Sequence, residues 1–414
     1  MSRMERINKC PYKMYGYWTM FDMIMNIPKK RKKFRRLKKH CYICHKPLLH
    51  GEDWLCPECK LLNDERQTQE YPSDLLKDRI AIVTGGRIKI GYETCLKLLR
   101  CGCIVILTTR FPIDAAYRYA HENDFEEWKN RLKIYKIDFR NIVQVEDFAA
   151  FLNGHLDYID ILINNAAQTV RRPKEYYEHL QELEFQELKE LPIAIKELIY
   201  ERSLSWDFFR FQGKIDELQT MCCDNSKSMD YTAHVNFPIN KMDTNGDTLD
   251  LRLFNSWVSK VEDVDLVELL EVQFVNVTAP YILCARLKSA MKRSPHSRKF
   301  IINVSAMEGK FNRKNKNCYH PHTNMAKAAL NMLTRTAAQD YKKDDIYMNS
   351  VDTGWITDEN PYHIQLQNRS LGITPPLCSK DGAARVCDPI LHSLLTNNRP
   401  SCGRFFKDYN LTSW

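Results

Sequence analysis

The sequence contains no uninterrupted apolar run of the roughly 18 residues that a membrane-spanning helix needs. The aromatic and methionine-rich run at residues 14–27 is interrupted by Asp22, and no small-residue cleavage site follows it, which argues against a signal peptide. Both absences favour an intracellular protein, cytoplasmic or nuclear. With 414 residues, of which 44% are hydrophobic, the chain can bury one large core with smaller appendages.

The chain also has no net charge outside one short segment. Residues 29–39, KKRKKFRRLKK, contain nine basic residues; removing these nine from the 61 Lys and Arg leaves 52, which equals the 52 Asp and Glu. A neutral body excludes broad attraction to nucleic acid or anionic membrane, so any such attraction must come from this arm. Residues 1–39 are expected to lack fixed structure, and the basic arm is either a nucleic-acid contact or nuclear signal, or a solvated linker.

The 15 cysteines lack the spacing of a small secreted disulfide protein, and eleven of them are scattered, often in apolar runs where cysteine acts as a small hydrophobe. The other four form two CxxC pairs, eleven residues apart, in CYICHKPLLHGEDWLCPECK. Four thiolates at this spacing can surround Zn²⁺ as a tetrahedron. The predicted metal ligands are Cys41, Cys44, Cys56 and Cys59.

We therefore predict a zinc module at residues 40–62, which is too short to build a core of its own and would take its folding energy from the metal. The alternatives are two redox-active dithiols, or a site in which His40, His45 or His50 replaces one cysteine. Because four cysteines leave no open coordination position, the predicted role is assembly or binding of a protein partner rather than catalysis.

Residues 79–110, RIAIVTGGRIKIGYETCLKLLRCGCIVILTTR, predict a strand, a glycine turn, a helix and a second strand. In such a βαβ unit the free N–H groups and the partial positive charge of the helix N-terminus suit a phosphate. The turn resembles the TGxxxGxG motif of the short-chain dehydrogenase/reductase family. Thr84, Gly85 and Gly91 match this motif, and Lys89 stands at its middle glycine.

Further family landmarks follow in the expected order: NNAA at residues 164–167 for NNAG, Asn276 in FVNVTAP, Lys327 in MAKAAL, and VDTG at residues 351–354 for the PG turn. The resemblance covers residues 76–409 apart from one insert. It implies an α/β fold, a Rossmann-like doubly wound parallel sheet with helices on both faces. The alternation of strands and helices in the sequence independently predicts this fold class.

The resemblance implies a nicotinamide dinucleotide as cofactor. At the end of the second strand a carboxylate would accept the ribose hydroxyls of NAD, whereas Thr109 and Arg110 suit the 2′-phosphate of NADP, with Arg87 as a second cation. NADP is therefore favoured over NAD. The predicted cofactor-binding residues are Thr84, Gly85, Arg87, Lys89, Ile90, Gly91, Thr109, Arg110, Asp138, Asn165, Ala166, Lys327 and Gly354.

An insert interrupts the resemblance at residues 168–250, where the family needs only one connecting helix. A structureless loop of this length is improbable. The sequence EYYEHLQELEFQELKELPIAIKELIYERSL has Leu and Ile at helical spacing and predicts two helices separated at Pro192. The segment MDTNGDTLD predicts a turn, because its glycine is misplaced for a calcium loop and the final Glu is missing. We interpret the insert as a lid or a partner surface.

The active site departs from the family pattern of Tyr, Lys, Ser and Asn. Lys327 and Asn276 match, but Thr323 stands at the tyrosine position and Ala306 at the serine position. A threonine hydroxyl is too weak an acid to transfer a proton near neutral pH. His322, whose unperturbed pKa is about 6.5, or the nearby Tyr319 is the candidate replacement acid.

Two functions remain open from the sequence. The first is an NADP(H)- or NAD(H)-dependent oxidoreductase of unknown small-molecule substrate, with Asn276, Lys327, Thr323 and either His322 or Tyr319 in the active site. The second is a dinucleotide-binding pseudoenzyme, in which insert, zinc module and basic arm bind protein or RNA.

Overall fold

The computed structural model describes residues 40–48, 54–186, 188–201, 233–238, 241–312 and 316–414. The predicted basic arm and all of residues 1–39 lie outside the described residues, as does the part of the insert at residues 202–232.

Eight strands form one sheet in the order β3-β2-β1-β4-β5-β6-β7-β8. Neighbouring strands are parallel except for β7 and β8. This is the doubly wound parallel sheet that the sequence predicts. The strands are β1 (Ile80–Thr84), β2 (Ile104–Thr109), β3 (Leu132–Lys136), β4 (Ile161–Asn164), β5 (Lys299–Ser305), β6 (Ile346–Asp352), β7 (Phe405–Lys407) and β8 (Asn410–Thr412).

Helices connect the strands and cover both faces of the sheet. The described α-helices are α1 (Pro57–Thr68), α2 (Lys89–Arg100), α3 (Pro112–Ala120), α4 (Phe125–Trp128), α5 (Ile142–His155), α6 (Glu178–Glu184), α7 (Ile193–Lys196), α8 (Ala233–Asn236), α9 (Leu266–Gln273), α10 (Ala279–Lys292), α11 (Pro321–Tyr341), α12 (Tyr362–Ser370) and α13 (Ser379–Leu395).

Side chains that alternate along each strand create two separate cores, because successive residues of a strand point to opposite faces. On β1, Ala81 and Val83 belong to a core with α2, α3 and α13, whereas Ile82 belongs to a core with α5, α10 and α11. Both faces are buried, so the strands are nearly continuous apolar runs. The two cores leave the carboxyl ends of the strands, called the carboxyl edge below, as the place where a ligand site forms in a doubly wound sheet.

Several predicted element boundaries differ from the structure. The sequence predicts one helix over residues 114–131, but the structure has α3, α4 and a 3₁₀ turn there, and the two helices predicted in the insert are the short α6 and α7 with 3₁₀ turns. The apolar segment GRFFKDY predicts a last short strand that closes the sheet, but in the structure this strand, β7, is followed by the antiparallel strand β8. β8 has only three residues, of which Asn410 and Leu411 are exposed, so it shows no apolar pattern that would predict it.

The insert extends the sheet beyond β3. Ile134 of β3 donates its N–H to the carbonyl of Leu198 at 2.8 Å, and Tyr200 donates to the carbonyl of Ile134 at 2.9 Å, which forms a parallel bridge. Leu191, Ile195 and Leu198 pack into the same core as α2 and α3. The insert is thus an integral part of the core on this side, and it covers a sheet edge that would otherwise be free to pair with another chain.

Residues 266–292, which include α9 and α10, form the one helical segment in the described ranges that is long and apolar enough to cross a membrane, with a mean hydropathy of 1.3. Half of its most apolar stretch of 18 residues is buried inside the protein. Ala279, Leu283 and Leu287 face the core that also contains α5, so the hydropathy reflects packing in the fold.

The cysteine module is fastened to the main domain through α1. Asn63 donates to the carboxylate of Asp381 at 2.7 Å, and Arg66 pairs with Asp388 at 3.0 Å. The buried guanidinium of Arg385 joins three elements, because it donates to Asn63 of α1, to the carbonyl of Asp381 on its own helix, and to Asp408 between β7 and β8. α1, α13 and the terminal hairpin therefore share one buried charge network.

We predict that Arg385→Met destabilises the protein by about 3–5 kcal/mol, because the variant removes the buried guanidinium from this network and leaves the Asp408 carboxylate with Lys407, at 3.3 Å, as its remaining cation. Urea unfolding measures the change in free energy. The matched control is Arg286→Met, which removes an ion pair with Glu146 on the surface and is expected to leave the free energy of unfolding nearly unchanged. Equal effects of the two substitutions would contradict the structural role of the buried pair.

Candidate active site

The glycine turn between β1 and α2 is attached to the end of β4 by side-chain hydrogen bonds. The hydroxyl oxygen of Thr84 accepts the N–H groups of Asn165 and Ala166, both at 2.9 Å. The side-chain amide of Asn165 donates to the carbonyls of Thr84 and Gly85, both at 3.0 Å. Three of the predicted cofactor residues therefore position the turn against the neighbouring strand.

Glycine is required at two positions of this turn. Gly85 has φ +68°, and a Cβ there would lie 2.9 Å from the Cα of Ala166. A Cβ at Gly91 would lie 2.1 Å from the carbonyl oxygen of Gly85. The backbone turn and the first turn of α2 are thus in direct contact, which leaves the N-terminal N–H groups of the helix at the carboxyl edge of the sheet.

Lys89 adopts the left-handed conformation that the family's middle glycine would favour, with φ +55°. Its side chain is half-buried and lies near the carboxylate of Glu359. Burial raises the pKa of Glu359, but Lys89 and Arg172 lower it, and the pKa lies below its usual range. Ile90 follows on α2 and packs beside Gly382 of α13. The structure thus places the carboxylate of Glu359 close to the ammonium group of Lys89.

Arg87 of the turn is buried and paired with two carboxylates. Its guanidinium lies 2.8 Å from Asp114 of α3 and 2.7 Å from Asp247 of the insert. The segment that carries Asp247 is the turn expected from MDTNGDTLD, in which Met242 and Thr248 form an antiparallel bridge. Arg87 is therefore not a free second cation beside Arg110, because Asp114 and Asp247 pair with its charge.

At the end of β2, Thr109 is buried, and its hydroxyl accepts the N–H of Phe111 at 3.1 Å. Arg110 is half-buried beside the ring of Tyr177. Asp138, at the end of β3, is buried and paired with Arg140 at 2.6 Å. Burial opposes ionisation of this carboxyl, but Arg140 holds its pKa below the usual range.

Asn276 lies in a single π-helical turn between α9 and α10, a deviation that often marks functional sites. Its carboxamide oxygen accepts the N–H of Gln168 at 2.7 Å, and its amide donates to the carbonyl of Gln168 at 2.9 Å. Gln168 is the first residue of the insert. Asn276 therefore fixes the path of the chain as it leaves β4.

Lys327 is buried on α11, and its Nζ donates to the carbonyl of Val304 at 2.9 Å. Burial lowers its pKa to about 8, with Glu308 and Asp352 acting in the opposite direction. Gly309, which follows β5, allows α11 to approach closely, because a Cβ at this position would lie only 2.6 Å from the carbonyl carbon of Lys327. Lys327 and Asn276 both lie at the carboxyl edge, where the glycine turn also lies.

His322 and Thr323 begin α11 and are both buried, with 1% and 4% exposure. Within the described part of the chain, neither the two ring nitrogens of His322 nor the hydroxyl of Thr323 makes a hydrogen bond of normal geometry, although the backbone of Thr169 lies close to the imidazole. Burial and the neighbouring His320 lower the pKa of His322 to about 4, while the backbone of Thr169 raises it. The imidazole is therefore neutral at pH 7. Unpartnered buried polar groups are costly and indicate a group that completes them.

The other candidate acid, Tyr319, and the residues around the family's serine position have different surroundings from those of His322. Tyr319 is half-buried, and its carbonyl accepts the side chain of Asn324 at 3.2 Å. Ser305 donates its hydroxyl to Asn331 of α11 at 2.6 Å and is buried. Ala306 follows in an extended conformation and offers no hydroxyl.

The loop after β6 contacts both the turn helix and the cysteine module. Gly354 has φ +86°, and its N–H donates to Asp352 at 2.9 Å. The next N–H, that of Trp355, donates to the hydroxyl of Tyr42 at 2.8 Å. The side chain of Ile356 meets that of Ile90 of α2 around Gly382. Sequence reasoning missed this loop beyond Gly354, since its contacts are all distant along the chain.

The four predicted metal ligands converge. The Sγ atoms of Cys41, Cys44, Cys56 and Cys59 all lie within 4.8 Å of one another, and those of Cys44 and Cys56 are 3.7 Å apart. A tetrahedron with Zn–S bonds of about 2.3 Å requires comparable separations. Burial opposes ionisation of Cys41, but N–H groups of Cys44, Cys56 and Ile43 lower its pKa to about 7. The four side chains fit a tetrahedral metal ion.

Comparison with known proteins gives two matches to family models. A model described as short chain dehydrogenase matches residues 79–191, and one described as enoyl-(acyl carrier protein) reductase matches residues 251–371. The unmatched stretch between them, residues 192–250, lies within the insert, and the first match extends into the insert as far as residue 191. Together the two matches cover more than half of the chain.

Individual relatives differ in how much of the chain they share. An uncharacterized protein of Acanthamoeba polyphaga mimivirus is 30% identical over 361 residues, which is 84% of this chain and 71% of that protein. The (−)-isopiperitenone reductase of Mentha piperita is 36% identical over 91 residues, 21% of this chain and 28% of that enzyme. The viral relative thus shares most of the architecture, whereas the plant enzyme shares a short segment.

Solved structures show the same fold. Short-chain dehydrogenases from Salmonella enterica and Shigella flexneri each have a TM-score of 0.50 at 15% identity and cover 83% of this chain. The match covers 100% of the Salmonella chain and 95% of the Shigella chain.

The lowered pKa of His322 predicts a pH-dependent stability. Between pH 6.5 and 4 the unfolded chain protonates this histidine and the folded chain does not, so its contribution to stability is lost as the pH falls through the unfolded value. From pH 7 to pH 5, the native protein should lose about 2 kcal/mol more than His322→Gln. Urea unfolding at both pH values measures this difference. The exposed His155→Gln is the control, and identical pH dependence of the native protein and His322→Gln would contradict the buried neutral imidazole.

Proposed function

Because the chain belongs to the short-chain dehydrogenase/reductase family, we propose that it binds a nicotinamide dinucleotide, NADP in preference to NAD, and interconverts a small carbonyl compound and its alcohol. The observation that carries the proposal is the close contact of Gly85 with Gly91, which presents the N-terminus of α2 at the edge that also holds Asn276 and Lys327. The cofactor would supply the hydride.

The residues present fit such a cofactor. The N–H groups at the start of α2 suit its phosphates, Arg110 suits a 2′-phosphate, and the buried ammonium group of Lys327 suits the hydroxyls of the nicotinamide ribose. The unpartnered hydroxyl of Thr323 is a further polar group in the region that a bound ligand would complete. Glu359, near Lys89, would have to share that cation with a phosphate or move.

We propose His322 as the group that acts on the substrate oxygen. A neutral imidazole can donate a hydrogen bond to a carbonyl oxygen and polarise it, although its low pKa makes it a poor source of a full proton at pH 7. Lys327, with a pKa of about 8, is closer to the operating pH and is the better proton reservoir. Tyr319 remains the alternative donor.

The second candidate function is dinucleotide binding without catalysis, with the insert and cysteine module acting as surfaces for a protein partner. The observation that favours it is the loss of both family hydroxyls, since Thr323 and Ala306 supply neither the phenol nor the serine. The ion pair between Arg87 and Asp247 also supports a mainly structural role for part of the turn.

Binding and turnover assays on His322→Ala separate the two functions. Fluorescence titration measures NADPH binding, and loss of NADPH absorbance with a panel of aldehydes and ketones measures turnover. We expect His322→Ala to retain binding and to lower turnover by about 10²–10³-fold, the usual contribution of a hydrogen-bond donor to the reacting oxygen. His155→Ala is the matched surface control. Binding without turnover in the native protein would favour the second function, and unchanged turnover in His322→Ala would exclude the role of this histidine.

We propose that the cysteine module binds one structural Zn²⁺. Protein purified without chelators should contain about one equivalent of zinc, and Cys56→Ser should lose it, because three thiolates hold zinc less tightly than four. Tyr42 and Trp54 flank the cluster and touch Trp355, whose ring centroid is 5.9 Å from that of Trp54, so metal loss should also change tryptophan emission.

The control for the metal assay is Cys318→Ser, which alters an exposed cysteine outside the cluster. This variant should keep the native zinc content and emission spectrum. A native zinc content far below one equivalent would remove the assignment.

A further inference from the structure

Three arginines follow the ends of the first three strands, but two of them have their charges neutralised. Arg87 lies between Asp114 and Asp247, at 2.8 Å and 2.7 Å. Arg140 donates to Oδ1 of Asp138 at 3.0 Å and to Oδ2 at 2.6 Å, and it lies 3.5 Å from a carboxylate oxygen of Glu271. Neither is available as a full positive charge for an incoming phosphate.

Arg110 is in a different environment. Within the described part of the chain its guanidinium makes no hydrogen bond and no ion pair within 4 Å. Its close contacts are aromatic: the guanidinium carbon lies 4.6 Å from the ring centroid of Tyr177 and 5.2 Å from that of Phe111. Its charge also acts on Asp138 from beyond ion-pair distance, where it helps Arg140 to lower the pKa of that carboxyl. A guanidinium over a ring keeps its N–H groups available at its edge, so aromatic contacts can orient Arg110 without using its donors.

Tyr177 lies in the insert at residues 168–250, in the part that the short chain dehydrogenase model still matches. Its ring lies 5.3 Å from Phe111, at an interplanar angle of 33°, and meets the buried Tyr176 edge to face at 4.9 Å. The ring therefore stands in an aromatic group that restricts its position.

The backbone that carries Tyr177 is also held to the main domain. α6 follows directly, and the carboxylate of Glu184 at its end accepts the N–H of Asp114 in the first turn of α3 at 2.9 Å. Arg118 of α3 donates to the carbonyl of Asn245 at 2.9 Å, which attaches the turn of the insert that contains Asn245. The insert is thus fixed to α3, the helix that follows Arg110, at two places.

We propose that Tyr177 is a positioning residue that holds Arg110 ready for the 2′-phosphate of NADP, so that the insert sets the preference for NADP over NAD. The inference rests on the proposed function and deepens it. An arginine that is ordered before binding loses less side-chain freedom when it pairs with a phosphate, and this gain applies only to the ligand that carries the phosphate. NAD, which lacks that group, gains nothing from the order.

The test measures dissociation constants for NADPH and NADH by fluorescence titration at low ionic strength. Tyr177→Ala and Tyr177→Leu should weaken NADPH binding by about tenfold, the size of a partly buried cation–π contact, and leave NADH binding within about twofold. Tyr177→Phe keeps the ring and should behave like the native protein. Tyr281→Ala, on the exposed face of α10, is the matched control.

A double-mutant cycle isolates the pair. In an Arg110→Ala background, Tyr177→Ala should cause no further loss of NADPH affinity, because the residue acts through the arginine. Thermal unfolding of each variant shows that the fold is kept, and Tyr177→Leu preserves packing if the alanine variant does not fold.

Four outcomes would overturn the inference. If the Tyr177 variants weaken NADPH and NADH equally, the ring only supports the groove. If they change neither, or change NADPH equally with and without Arg110, Tyr177 does not position the arginine. If the native protein binds neither dinucleotide, the proposed function fails as well, which distinguishes that failure from a failure of the inference alone.

Discussion

The structure depends on the contact between the carbonyl of Gly85 and the Cα of Gly91, where no side chain can be accommodated. This contact places the first turn of α2 directly on the turn that leaves β1, and Asn165 then joins the same turn to β4. The N-terminus of a helix, with its free N–H groups, is thereby held at the switch point of a parallel sheet. Lys89 can replace the middle glycine because its position needs only a left-handed backbone, not empty space.

The insert changes the chemistry around this turn without changing its backbone. Asp247 neutralises Arg87, so this part of the insert removes a cation from the site. The ring of Tyr177, in another part of the insert, lies against Arg110 and orients it. Gln168, at the start of the insert, is held by Asn276. A segment that would be a simple connection in a shorter chain thus reaches both ends of the groove and pairs with the edge of the sheet at Ile134.

The cysteine module contacts the loop that follows β6. Tyr42 and Trp54, next to the cluster, meet Trp355 in the loop after β6, and that loop continues to Ile356 beside Ile90 and to the half-buried Glu359. The contacts form a continuous path from the cysteine cluster to the glycine turn. Because the module is too small for a core of its own, the order of this path depends on what holds the four cysteines together.

The sequence by itself determined the parallel α/β fold, the glycine turn and the paired spacing of the four cysteines, because each depends on contacts local in the chain or on a repeating apolar pattern. It also located Lys327 and Asn276 and showed that a phenol and a serine are missing. Only the tertiary structure decided that Arg87 is neutralised, that His322 is buried and neutral, and that Arg110 lies on Tyr177. Those facts depend on residues 60 to 160 positions apart, or on burial, and neither leaves a periodic signal in the chain.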